Sequence, residues 1–517
     1  MTNVCFPVIS VRQVLLSTTL ILCSVATMAQ DSAVPVAQAP RPPGPQALSL
    51  KDLVKLLQTN NKTILSKRAE REITATGIER ASAAFETTTN VAVTNGKSRT
   101  KNTFEEDLVR RDLGIYQRDG EDYTVGVSQL FSSGAKAELK TSLSRFITNT
   151  NAYDPARPPG VMDNRAAFGL SFTQPLARDA GFEVTGARLQ VANLDTLAAD
   201  HASLDTQTSA VAEGVIAYHE LVLAQHRTAA ALEKIRSGER LLTEARAMNR
   251  QGRLADSEVW EVENALARFA SALSEARQGE RERANRLRTL FMSASADSKD
   301  TLHATDALPA VAFTPMSFEE SLGVALTKRQ DFLMRKVMVE REGVQLSYAE
   351  NQTLPRIDLV ASYGINGLEY SEQTAFNWQR MSDYPTWSLG VQMQIPLDGN
   401  RQGRADLRAA ALRREDAMLS LRAAEIAIAN DIDTSLALRA SVAERWELWR
   451  QIAEREQKQL DLERRKFTAG RSDVREVLQR EERVINAKVS TLEQQAAYAK
   501  AQTMLDAAQG TLLERLP

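Results

Sequence analysis

Two hydrophobic periods alternate along this 517-residue chain, and each occurs twice. From Ala187 to about Asn249, and again from Ala405 to about Thr468, apolar residues return at three- and four-residue steps. Leu421, Ile428, Ile432, Val442, Trp446, Trp449, Ala453 and Leu460 mark the second of these stretches. Neither contains proline or a turn cluster, and both are rich in Ala, Leu, Glu, Arg and Gln, so each predicts a single very long helix. At 1.5 Å per residue, such a helix of about 65 residues extends about 100 Å. After Gly252 and Gly470 the pattern predicts a helix of about 40 residues running back. Each half also opens with a shorter helix, Ser49 to about Phe85 and Ser317 to about Gln352. Ser49 and Ser317 stand at N-cap positions, and Glu320 completes a capping box with Ser317. Two half-length helices end to end match one long one, so each half reads as an elongated, coiled-coil-like arm.

Between the opening and long helices the period falls to two. Trp387, Leu389, Val391, Met393 and Ile395 fall on one face of a strand, with Ser388, Gly390, Gln392 and Gln394 on the other. Ile357, Leu359, Ala361, Tyr363 and Ile365 alternate in the same way, as do Phe168, Leu170 and Phe172 in the first half. The first half adds a candidate hairpin, Tyr123 to Gln129 and Lys136 to Phe146, joined through Ser-Ser-Gly. Alternating segments of about ten residues with aromatic ends suit strands of a membrane barrel, although a half-buried sheet shows the same alternation.

The halves repeat one another in sequence. Residues from Ser49 align without a gap with those from Ser317, pairing Glu72 with Glu340, Ile78 with Leu346 and Ala81 with Ala349. Further on, Gly252, Arg253, Glu258 and Val259 align with Gly470, Arg471, Glu476 and Val477. Repeats this long indicate one pseudo-symmetric architecture made by duplication, not a solenoid. The domain reading is 1–29 signal peptide, 30–48 Pro-rich tether, 49–292 first repeat, 293–316 inter-repeat segment and 317–517 second repeat.

Composition narrows the function. Acidic and basic residues nearly cancel, giving a net charge of −2, and Arg-rich runs such as Arg277 to Arg288 carry compensating glutamates without aromatics, so no nucleic-acid partner is expected. The two cysteines, Cys5 and Cys23, lie in a leading stretch that has Arg12, the apolar run VLLSTTLILCSV and small residues up to Ala29. This reads as a secretory signal peptide; the run is short for a membrane anchor, which needs about 20 residues. Lipidation at Cys23 is the other alternative, although Leu22 is larger than the residue that normally precedes a lipidated cysteine. No later stretch is apolar and long enough for a transmembrane helix, so any crossing belongs to strands. The four histidines, His201, His219, His226 and His303, form no metal-ligand spacing, and no phosphate loop or nucleophile motif occurs. No enzyme and no cofactor or metal is expected. Trp260, Trp446 and Trp449 read as packing residues. Gly252 and Gly470 end long helices where the chain must reverse, the place for a left-handed residue.

Signal peptide, duplicated helix–hairpin–long helix–turn–helix units, paired glycine turns and the strand-to-helix junctions FTQPL (Phe172 to Leu176) and MQIPL (Met393 to Leu397) together resemble the TolC-like outer membrane efflux proteins. The resemblance spans about Ser49 to Leu513. It implies an α+β, mostly α, homotrimer of the Gram-negative envelope. Each protomer would give four strands to a shared twelve-stranded outer-membrane barrel, continued by a periplasmic α-helical tunnel with a belt about its middle. The candidate hairpin is additional to that simplest pattern. The resemblance further implies a passive exit duct for a tripartite efflux or type I secretion system, with a periplasmic adaptor and an inner-membrane pump as partners. Adaptor-docking turns would fall at Gly252, Arg253, Gly470 and Arg471. A gate of acidic residues would fall at Glu476, a second acidic position falls on Gln479, and Glu258 would pair with Arg471. Trp387, Leu389, Val391, Met393 and Ile395 would face outer-membrane lipid. A periplasmic adaptor or coiled-coil scaffold is the alternative reading, and the cargo is left open.

Overall fold

A computed structural model describes residues 47–110, 113–150, 162–293, 302–370 and 375–516. The expected signal peptide, nearly all of the expected tether and both cysteines lie outside the described residues. The first repeat runs through β1 (Ala47–Leu48), α1 (Leu50–Asn60), α2 (Lys62–Ser82), β2 (Thr88–Lys101), a short α3 (Phe104–Val109), β3 (Ile115–Leu130), β4 (Lys136–Thr148) and β5 (Asp163–Pro175). It continues through α4 (Phe182–Thr185), α5 (Ala187–Arg250) and α6 (Asp256–Leu290). After β6 (His303–Ala304), the second repeat runs through α7 (Phe318–Lys328), α8 (Gln330–Gln352), β7 (Arg356–Glu369), α9 (Trp378–Met381), β8 (Pro385–Gln394), α10 (Arg401–Thr468), α11 (Val474–Ala508) and α12 (Leu512–Arg515).

The long helices form as expected, 64 residues in α5 and 68 in α10. Each opening helix, however, is two helices, broken at Asn61 and at Arg329. The breaks are where the half-length helices meet end to end. Asn61 caps α2 by accepting from the Thr63 and Ile64 N–H groups, while its amide donates to the Leu290 carbonyl at the end of α6, at 2.7 Å. In the second repeat the end of α11 abuts Arg329: a Cβ on Gly510 would lie 2.9 Å from the Lys328 carbonyl carbon. At Asn61 the break therefore supplies donors and acceptors that two butted helix ends need. Ser49 caps α1, accepting from the Asp52 N–H at 3.2 Å. The capping box expected at Ser317 does not form, since the Ser317 side chain makes no cap bond.

Packing turns these helices into a wall of four columns. On the sheet side of the break, α2 packs on α5, α5 on α8, and α8 on α10; on the far side, α6 packs on α5, α5 on α11, and α11 on α10. A belt crosses the long helices near their middles. Tyr218 of α5 donates to the Leu48 carbonyl and to Asp306, Tyr498 of α11 donates to the Ala312 carbonyl, and buried Arg439 of α10 bonds the Thr314 carbonyl and Gln502. Leu48, Leu53, Leu57, Tyr218, Leu221, Leu287 and Leu302 bury one core beneath it.

The six strands form one antiparallel sheet in the order β2–β3–β4–β5–β7–β8. The resemblance implied four strands per protomer; the expected hairpin, longer than predicted, makes six. β2, absent from the expectations as a delimited strand, pairs over its whole length with β3, from Thr88↔Ser128 to Lys101↔Ile115.

Candidate membrane face and tunnel tip

Antiparallel pairing places directly opposed residues on the same side of a sheet. Here the registers align one row, Thr89, Val127, Leu139, Leu170, Tyr363 and Trp387, across all six strands. The adjacent row, one residue along, is Thr88, Ser128, Glu138, Ser171, Ser362 and Ser388. One face is therefore apolar and the other polar, strand after strand. Trp387, Leu389, Val391 and Met393 sit on the apolar face opposite Tyr363, Ala361, Leu359 and Ile357; Ile395 follows just past the strand. All five predicted lipid-face residues are exposed, Trp387 by 73% and Val391 by 63%. Because β8 is an edge strand, its polar face is exposed as well, so the row pattern, rather than exposure, distinguishes the two sides. Above the apolar band the same face turns charged, with Lys97 bonded to Asp119 at 2.7 Å. No helix among the described residues is long and apolar enough to cross a membrane.

At the other end of the wall, Gly252 and Gly470 adopt φ of +74° and +70°. In the first turn the Gly252 N–H donates to Asn249 O and the Arg253 N–H to Met248 O; in the second, Gly470 donates to Phe467 O and Arg471 to Lys466 O. Both are Schellman closures, in which a left-handed residue lets the chain cover the last free carbonyls of a helix. The two turns lie side by side: Arg253 Nη2 is 3.9 Å from where a Cβ of Gly470 would stand. Beneath them Leu241, Val259, Val262, Phe269, Phe467, Val474 and Val477 form a core drawn from both repeats. Buried Glu481 locks three helices there, accepting from Ser237 of α5 at 2.6 Å and from Arg464 of α10 at 2.5 Å.

The acidic candidates have partners within the protomer. Glu476 accepts from Arg480 at 2.9 Å, and Arg480 also bonds Gln459 and approaches Glu456 at 3.8 Å. The Glu476 backbone N–H donates to Asp473, which caps α11, at 2.8 Å. Glu258 does not pair with Arg471 in the protomer; its carboxylate accepts from the Ala255 N–H at 3.4 Å and caps α6, a local contact that competes with any cross-turn pair. The bridge that does join the two return helices was missed. Arg475 of α11 holds Glu261 of α6 through two bonds, 3.1 and 2.5 Å, and Glu261 raises the Arg475 pKa above its ordinary value. The signal for it lay in the repeat, because Glu261 occupies the position that aligns with Gln479. Trp260, read as a packing residue, is 61% exposed beside these turns, while Trp446 and Trp449 are partly buried. Among the described residues no cluster of His, Cys, Asp and Glu forms that could hold a metal ion.

The fold is an apolar-faced antiparallel sheet joined to a long helical wall with paired reversing turns at its far end. The outer membrane efflux protein family model matches residues 322–511. Solved structures with the same fold include the transmembrane channel CusC (14% identity, TM-score 0.62, 91% of this chain and 98% of that one). The outer membrane protein VceC from Vibrio cholerae matches at 14% identity, TM-score 0.60, 89% of this chain and 96% of its own. The open state of the Neisseria gonorrhoeae outer membrane channel MtrE matches at 15% identity, TM-score 0.59, with 90% of this chain and 89% of that one covered. No curated protein matches the chain. The family model thus covers the second repeat, and the fold of the whole chain is the one these outer membrane channels share.

Proposed function

We propose that three copies of this chain form the passive exit duct of a tripartite efflux or type I secretion system. The observation that carries the reading is the continuity of one wall, from a sheet with one apolar face to paired helix-reversing turns about 100 Å of helix away. Its outer columns are unfinished: Leu412, Leu419 and Ile426 stand exposed seven residues apart on α10, and Ile73 is exposed on α2 at the opposite edge. An exposed heptad stripe on a long helix calls for a neighbouring helix, and a second copy supplies one. The periplasmic adaptor alternative is not favoured, since a scaffold in water has no use for the apolar sheet face. The turns at Gly252, Arg253, Gly470 and Arg471 dock the adaptor, and an inner-membrane pump supplies the energy.

Near the mouth, Glu476 with Arg480, and the Glu261–Arg475 bridge, hold the closed tip. Glu258 acts as a helix cap. Bulky residues at the left-handed glycines strain the turns. With Gly252→Trp and Gly470→Trp combined, trimers should still reach the outer membrane while efflux of a fluorescent substrate falls at least tenfold. Normal efflux by that variant would remove the docking assignment.

A further inference from the structure

We propose that the membrane barrel of this duct has eighteen strands, six from each of three protomers, and that its outlet is as wide as the helical tunnel below it. The inference rests on the trimeric reading above. The occupant of each open sheet edge is a second copy of this chain, with β8 of one protomer beside β2 of the next. β2 and β8 are the two ends of the sheet and are exposed along their full length, so among the described residues their outward edges have no strand partner in the protomer, and unpaired edges are not tolerated in lipid. β2 leaves the helical wall and β8 returns to it, so they run in opposite senses and close an up-and-down barrel without a parallel pair.

The additional hairpin is built as membrane wall. It starts at the helical end of the sheet, where the Gly181 N–H and the Gln174 amide both donate to the Ser133 carbonyl in its turn. From there it rises in full register with its neighbours, β3 with β2 and β4 with β5. Val125, Val127 and Leu139 continue the apolar rows, and Gly126, Ser128, Lys140 and Ser142 the polar ones. A hairpin standing in water beyond a narrower barrel would gain nothing from that alternation.

Geometry favours the larger number. Strands 4.8 Å apart and tilted about 40° each take about 6.3 Å of circumference, so twelve span roughly 75 Å and eighteen roughly 113 Å. Four helical columns per protomer, twelve in a trimer, at about 8–10 Å between axes span roughly 100–120 Å. Eighteen strands meet that wall without a constriction; twelve would need the tunnel to narrow by about a third.

The test uses the full chain with Cys5→Ser and Cys23→Ser, carrying single spin labels at Val125→Cys, Leu139→Cys, Gly126→Cys or Lys140→Cys, in liposomes, together with the mass of the purified assembly. The proposal expects three chains, Val125 and Leu139 labels several-fold more accessible to oxygen than to a water-soluble nickel chelate, and the reverse at Gly126 and Lys140. Three chains with all four labels in water would leave the duct reading standing and overturn the eighteen-stranded barrel. An assembly of any other number of chains would overturn both.

Discussion

Single residues carry much of the duplicated design, and two of them differ between the copies in a way that can be measured. At the end of α6 the left-handed position belongs to Met292, φ +51°; at the matching end of α11 it belongs to Gly510, φ +71°. Both ends make the same pair of closing bonds, Met292 N to Thr289 O with Ser293 N to Arg288 O, and Gly510 N to Ala507 O with Thr511 N to Asp506 O. A side chain in that conformation costs about 1 kcal/mol, so Met292→Gly should stabilise the protomer by up to that amount. Gly510→Met should destabilise it by more, because its Cβ meets the Lys328 backbone. Thermal unfolding followed by circular dichroism tests both signs. His219 offers a second case. It is only 8% exposed, its Nδ1 has no partner, and burial lowers its pKa from 6.5 to about 4. The unfolded chain therefore takes up the proton first as pH falls. Stability is full above about 6.5 and drops between 6.5 and 4, by an order of 3 kcal/mol per protomer. Asp306 lines the same pocket. His219→Leu should flatten the pH dependence of the unfolding temperature over that window; an unchanged slope would assign the acid sensitivity elsewhere.

Among the elements, strands and long helices were legible because their periods are long and uninterrupted. The paired turns were legible because glycine marks a left-handed position. The breaks at Asn61 and Arg329 were not, since each is a one-residue cap inside a continuous helical pattern and depends on a distant helix end. β2 was missed because TTNVAVTNGKSRTK alternates weakly and holds its place through β3. At the tip, the aligned repeats single out Glu476, but its contact with Arg480 and the Glu261–Arg475 bridge depend on how the helices pack. Lipid contact on the apolar face has its own test. Val391→Arg should cost barrel assembly about 2–4 kcal/mol, against little for Gln392→Arg on the polar face. Yield of heat-modifiable trimer in the outer membrane reads the difference, and equal losses at the two positions would reverse the assignment.

The molecule as a whole is a duct only if its tip, helical wall and barrel form one water-filled path. The purified full-length trimer in a planar bilayer tests that continuity directly, comparing the native chain with Glu476→Ala and with the paired variant Glu261→Ala, Arg475→Ala. Releasing the bridge between the return helices should raise the conductance several-fold from a small closed value. Glu476→Ala removes the nearer of the two carboxylates beside Arg480 and should lower cation selectivity and weaken block by divalent ions. Conductance that rises when the tip bridge is removed, while the barrel is untouched, is the predicted result. No conductance in any of the three proteins, or conductance indifferent to all these tip substitutions, would contradict the account of a tip-gated channel.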